Sequence, residues 1–238
     1  MKLSNIKYIF QKELRSFFNS PVAYIVIIVY LVILSWFFVS NLFINNISTL
    51  RTVFEMTPFL LLFFAPAMTM RLISEEKKTG TLELLFTKPI REYEIVTGKF
   101  LAVWTLYFFT LLPTLCYYIT VMSVGTLDTG VVLGGYLGLL LVGAVFLAIS
   151  IFGSALTENQ VVAFIVSLFV VFALFMLDKI LFYLPTTVAT VLEYISIDYH
   201  FSNIARGVID TRDLIYYVSV IGFSLYLATT VLQKRRWV

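Results

Sequence analysis

Between Val131 and Leu184 the chain reads VVLGGYLGLLLVGAVFLAISIFGSAL, then TEN, then QVVAFIVSLFVVFALFMLDKILFYL. Two long apolar runs are parted by three polar residues. About 20 apolar residues rising 1.5 Å each cross the hydrocarbon core of a bilayer. Each run is therefore long enough to span, and Thr157, Glu158 and Asn159 must form the turn of a tight helical hairpin. A fold with a soluble core is excluded by this stretch alone.

Four more runs of this kind give six spans: about Pro21 to Phe43, Val53 to Ile73, Ile95 to Val124, Val131 to Leu156, Gln160 to Leu184 and Leu214 to Leu232. Little chain lies between them. With 60% hydrophobic and 13% charged residues, the 238-residue chain is a single all-α integral membrane domain with no room for a globular catalytic module. Charges continue from Lys2 through Arg15 and no small-residue cleavage site follows the first apolar run, so a cleavable signal peptide is not expected. Cys116 stands alone in an apolar run and is read as a packing residue.

Basic residues set the expected orientation. Six spans put both termini and the loops after spans two and four on one side. That side carries thirteen of the 17 Lys and Arg residues, which places it in the cytoplasm. The N-terminal segment 1–20 has Ile6, Ile9, Phe10, Leu14, Phe17 and Phe18 at spacings of three and four. Lys7, Gln11, Lys12 and Arg15 fall on another face, as in a helix lying in the membrane interface. Asn19-Ser20-Pro21 then supplies a break, a cap and a helix-starting proline.

The external segment 185–213 is too apolar for a free loop. Short helices dipping back into the membrane and an ordinary extracellular cap fit it equally. It contains the lone His200, with Asp198 nearby, and Arg206-Gly207; one histidine without partners at ligand spacing is a structural residue. Gly134, Gly138, Ala144 and Ala148 form two small-xxx-small pairs in span four. Pro58, Pro66 and Pro113 should kink spans two and three. No ionisable residue falls near the middle of a span, which counts against an ion-coupled carrier.

Catalytic and cofactor motifs are missing. Gly98-Lys99 looks like the end of a phosphate-binding loop, but Tyr93 stands where the upstream glycine belongs and Phe100 replaces Ser/Thr. No metal, nucleotide cofactor or nucleic acid is expected on this chain.

The charge instead concentrates in SEEKKTGTLELLFTKPIREYEIVTGKF, residues 74–100, which holds ten of the 31 charged residues. Span two can continue as a helix to Thr79. Gly80 then suits a left-handed helix end, with Lys77 and Lys78 at the negative end of the dipole. Thr81 can cap a short helix, TLELLF, carrying Glu83 in its first turn. Pro89 can open the next helix, with Glu92 and Glu94 early in it. The result is a jointed element, 74–94, in which Leu82, Leu84, Leu85 and Phe86 form an apolar knob among Glu75, Glu76, Glu83, Lys88 and Arg91. A solvated loop folded on lipid headgroups would explain the charges, but not the rigid breaks on both sides of the knob.

These residues resemble the signature of type-2 ABC transporter permeases, in which E-x-x-x-G-T-L-E-x-L precedes a proline and an E-I-x-x-G-K start of the third span. The matching positions are Glu76, Gly80, Thr81, Leu82, Glu83, Leu85, Pro89, Glu94, Ile95, Gly98 and Lys99. The short chain and HFSNIARGVIDTRDLIYY, residues 200–217, are further similar to the gliding-motility permease subunits of Bacteroidetes and to relatives in nitrous-oxide-reductase maturation. The resemblance implies a non-catalytic, multi-pass subunit of a bacterial inner membrane. It pairs with a second copy or a homologous permease, and two separate ATPase subunits, which hold the ATP and Mg, dock beneath. Segment 74–99, including Glu75 and Leu84, would contact the ATPase together with the N-terminal helix (Phe10, Lys12, Glu13, Leu14, Arg15, Phe17). Thr157, Glu158 and Asn159 would form a smaller second contact. A membrane scaffold that passes ATPase motion to an external partner without moving a substrate is the competing class.

Overall fold

The computed structural model describes residues 2–44, 49–125, 127–181, 185, 192–208 and 210–236. Helices α1 (Lys2–Asn19), α2 (Pro21–Val39), α3 (Arg51–Thr69), α4 (Ser74–Lys78), α5 (Thr81–Phe86) and α6 (Glu92–Leu111) form the first half. They are followed by α7 (Leu115–Val124), α8 (Thr129–Leu156), α9 (Gln160–Leu181), α10 (Ile197–Ala205) and α11 (Thr211–Arg236). No strand occurs among the described residues. Six stretches are long and apolar enough to cross a membrane: Pro21–Ile44, Arg51–Lys78, Glu92–Val124, Thr129–Leu156, Gln160–Ile180 and Thr211–Arg235. The six expected spans are all present, and the chain is an all-α multi-pass membrane protein. The expected end of the fifth span, and much of the external segment, lie outside the described residues.

Local sequence explains the element ends. Ser20 caps α2, its Oγ accepting from the Val22 amide at 3.3 Å, with Pro21 in the first turn. In the third span Pro113 cannot donate its amide, and the helix tightens into a 3₁₀ turn over Leu112–Thr114 before resuming as α7. Tyr136 of α8 donates to the Thr114 carbonyl there at 2.9 Å. Pro58 and Pro66 are absorbed within the single helix α3.

Helix α8 is the axis of the fold and packs against α3, α6, α9, α10 and α11. Its spanning stretch is 78% buried, whereas those of α2, α9 and α11 are 22% buried. The last three therefore form the outer wall, available to lipid or to another subunit. Of the small residues read as a span-packing signal, Ala144 and Ala148 are buried in the core. Gly134 and Gly138 serve a different neighbour, facing the Ile204 carbonyl and the Phe201 ring of α10.

That short helix is where the lone histidine sits. Ile197, Phe201 and Ile204 are buried beneath it. His200 does not meet Asp198, which turns away to Lys179 at 2.7 Å. Its Nδ1 lies 2.6 Å from Asp213 Oδ1 on α11, and its Nε2 donates to the Tyr194 carbonyl at 3.1 Å. The ring stacks on Tyr216 with centroids 4.0 Å apart. This is a structural pin joining α10 to the last span, as expected of a lone histidine. Arg206 and Gly207 close α10, Gly207 with φ 86° against the start of α8.

Candidate coupling site

The jointed element begins with an interruption. Helix α3 stops at Thr69, and the chain turns through Met70–Ile73 before α4. A turn buried at this depth leaves backbone groups to be satisfied. The Ser154 hydroxyl, on α8, does so: it donates to the Met70 carbonyl at 3.0 Å and accepts from the Ile73 and Ser74 amides, both at 3.2 Å. One donor and two acceptor positions are all that a hydroxyl has. Lys77 of α4 donates to the Ala155 carbonyl, one of the free carbonyls at the negative end of α8. Of the two lysines expected at the end of α4, only Lys78 is exposed. The extension of span two is thus fastened to span four.

Gly80 has φ 70°, in the left-handed region, and begins α5. Thr81 does not cap that helix. It lies in the first turn, and its hydroxyl donates back to the Glu76 carbonyl at 3.4 Å and meets Thr79 Oγ1 at 3.0 Å. The apolar knob divides: Leu82 is fully buried, Leu85 and Phe86 are half-buried against the core, and Leu84 is 66% exposed. Leu82 is a root and Leu84 a tip. Pro89 is exposed and precedes the next helix rather than opening it. Arg91 is extended, and its amide is captured by Glu94 Oε2 at 2.9 Å, so α6 starts at Glu92.

The remaining signature residues face inward, toward α1. Helix α1 runs alongside α6 in the same direction, from Asn5 at Glu94 (3.2 Å) to Phe18 edge-on to Phe109 (5.8 Å between centroids). Its apolar stripe is therefore spent largely on the third span. Gly98 makes this approach possible: a Cβ there would lie 2.8 Å from Ile9 Cγ2 and 3.2 Å from the Ile6 carbonyl. The next residue, Lys99, is 1% exposed and stands 3.0 Å from Glu13 and 2.9 Å from Glu76. Lys12 closes the ring at 3.4 Å from each of the same two carboxylates. Two cations and two anions alternate around a neutral cycle joining α1, α4 and α6. Burial lowers the Lys12 pKa, but Glu13 and Glu76 outweigh it and raise the value above 10.5. The stabilisation from this lysine is therefore complete below 10.5 and is lost only as pH rises through the raised value.

Phe10, Leu14 and Phe17 are half-buried along α1, and Arg15 points to solvent. At the same end, Thr157, Glu158 and Asn159 form the hairpin turn, with Asn159 Oδ1 accepting from the Val161 amide at 2.9 Å. Arg235, on the last turn of α11, reaches Glu158 at 2.5 Å and Glu83 at 3.7 Å. The two regions expected to contact a partner are thereby bridged into one surface. Glu83, Leu84 and Glu158 are exposed on it; Glu75 is exposed in the cleft beside α1 instead, and Gly98, Lys99, Glu94 and Leu82 are buried.

Sequence reasoning missed Ser154, Asn5 and Arg235 as members of this site, and the partner that Lys77 finds on α8. Nothing local marks them, because each works on a residue about 80 or more positions away.

Among the described residues no group of acidic, histidine or cysteine side chains could hold a metal ion. A family model described as an ABC-2 family transporter protein matches residues 43–232, which leaves α1 and α2 outside the match. No curated protein sequence matches the chain.

Proposed function

This chain belongs to the ABC-2 transporter family, and we propose that it is a membrane-spanning permease subunit that receives ATP-driven motion at the surface built by α5 and the hairpin turn. The observation that carries this reading is the exposed tip Leu84 beside Glu83. It is raised on a short helix between the left-handed Gly80 and Pro89, yet rooted by the buried Leu82. A tip that moved freely would transmit nothing. Here α4 is fastened to α8 through Ser154 and Lys77, and to α1 and α6 through the four-charge cycle. A push on α5 is delivered to three membrane-spanning segments together.

In this reading ATP and Mg belong to separate ATPase subunits, and no residue of this chain does chemistry. A second permease subunit packs against one of the exposed outer faces of α2, α9 or α11. The membrane is a bacterial inner membrane, with both termini cytoplasmic. The work done is export or mechanical coupling, and similarity of residues 200–217 to gliding-motility subunits supports the mechanical form.

The test is co-purification with an ABC ATPase subunit from the same cell. Leu84→Asp and Glu83→Lys change exposed side chains only, and are expected to insert normally while losing the ATPase or its stimulation by at least tenfold. Normal recovery of a fully stimulated complex from both variants would sink the proposal.

A further inference from the structure

Next to the four-charge cycle is a cleft of about 380 Å³ between α1, α2, α3, α4 and α6. Its volume falls within the usual range for a small-ligand site. One part of its wall is apolar and continues along the spans, through Val22, Val26, Met68 and Leu106. The other part is charged and lies where the second span leaves its apolar stretch. Lys12, Glu13, Glu76 and Lys99 there neutralise one another. Arg71 and Glu75 do not. Both line the cleft and are exposed. Although four residues apart, they make no ion pair with each other, and neither side chain has an ion pair or hydrogen bond among the described residues.

We propose that this cleft is a binding site for the headgroup of a zwitterionic phospholipid bearing a primary ammonium, of the phosphatidylethanolamine type. A guanidinium beside a carboxylate matches a phosphate beside an ammonium. Arg71 presents the fork that suits two phosphate oxygens, and Glu75 accepts from the ammonium. A trimethylammonium has no N–H to donate, and a glycerol headgroup carries no positive charge. The site therefore discriminates by headgroup chemistry. The apolar wall takes the first methylenes of the acyl chains, and the volume suits a headgroup rather than a whole lipid. The bound lipid would wedge between α1 and the α3–α4 turn, beside the cycle that holds them together. The inference stands on the cleft alone and does not need the permease reading.

The full chain is purified from nanodiscs holding equal parts of phosphatidylethanolamine, phosphatidylcholine and phosphatidylglycerol. After progressive delipidation, the retained lipid is identified by native mass spectrometry. The ethanolamine lipid is expected to be retained in preference to the other two. Glu75→Ala should reduce that preference roughly tenfold, the size of one lost charge-assisted hydrogen bond, whereas Arg71→Ala removes the partner of a phosphate that all three lipids share and should lower retention of all three. Ala23→Leu, which fills the apolar wall without touching a charge, should lower retention of all three lipids at this site. Equal retention of the three lipids by the native chain, an unchanged preference in Glu75→Ala, or unchanged retention in Arg71→Ala would show only annular lipid and overturn the proposal.

Discussion

The two ends of the molecule are both locked by buried ionisable groups, but the locks are built differently. At the α1 end, two lysines and two glutamates from three elements close a neutral cycle beside an open cleft. At the α10 end, one histidine is held between a carboxylate and a carbonyl and pressed against the Tyr216 ring, while glycines of α8 let the helix settle on it. The first lock joins α1, α4 and α6 at one point, and it borders an open cleft. The second pins a short helix onto the last span, and the cleft of about 990 Å³ beside α10 is lined by Phe201 and Ser202 but not by His200 or Asp213. A joint and a pin can use the same chemical groups; the packing around them separates the two.

The largest effect should come from Lys99→Met. It leaves Glu13 and Glu76 buried without their inner cation, and breaking a buried pair this way costs about 3–5 kcal/mol. Heat-induced unfolding of the detergent-solubilised chain should show the loss. Adding Glu13→Gln, which removes the surplus charge, should recover part of it. Equal losses with and without the second change would mean that Lys99 acts by packing, and the cycle would not be a joint. Asp213→Ala should cost less, about 1.5–3 kcal/mol, by stranding one side of His200. Its effect should stay local, with protease sensitivity rising around α10 and unchanged at α1. Lys12→Ala should be smallest, under about 1 kcal/mol, because that lysine is 62% exposed and solvent screens it. A large loss there would erase the distinction between the inner and outer cations of the cycle.

The same contrast explains how much was legible beforehand. Apolar runs and proline or glycine breaks are local, so the six spans, the left-handed Gly80 and the split jointed element could be read directly. Gly98 and Lys99 also stood out, but as part of a docking surface; the structure turns them inward, where Gly98 admits Ile9 and Lys99 neutralises two carboxylates. Thr81 had the composition of a cap and Pro89 that of a first helical residue, yet neither takes that place. The Glu76 carbonyl draws the Thr81 hydroxyl, and Glu94 fixes where α6 begins. Asp198 was the nearest acid to His200 along the chain, but Lys179 takes it and Asp213 supplies the partner.

By itself, the sequence determined that this protein is a six-span helical membrane protein with one charged, jointed segment between spans two and three. Hydrophobic length and backbone stereochemistry are properties of consecutive residues, and no distant contact can override twenty apolar residues in a row. Only the tertiary structure decided which charges of that segment face outward and which are spent inside. Ser154 on the α3–α4 turn, Lys77 on the end of α8 and Lys99 between α1 and α4 are pairings across about 80 residues or more, or between three elements at once. Burial makes those pairings obligatory, since an unpaired charge or amide away from water is costly. Their partners, however, are chosen by packing, which no single stretch of the chain contains.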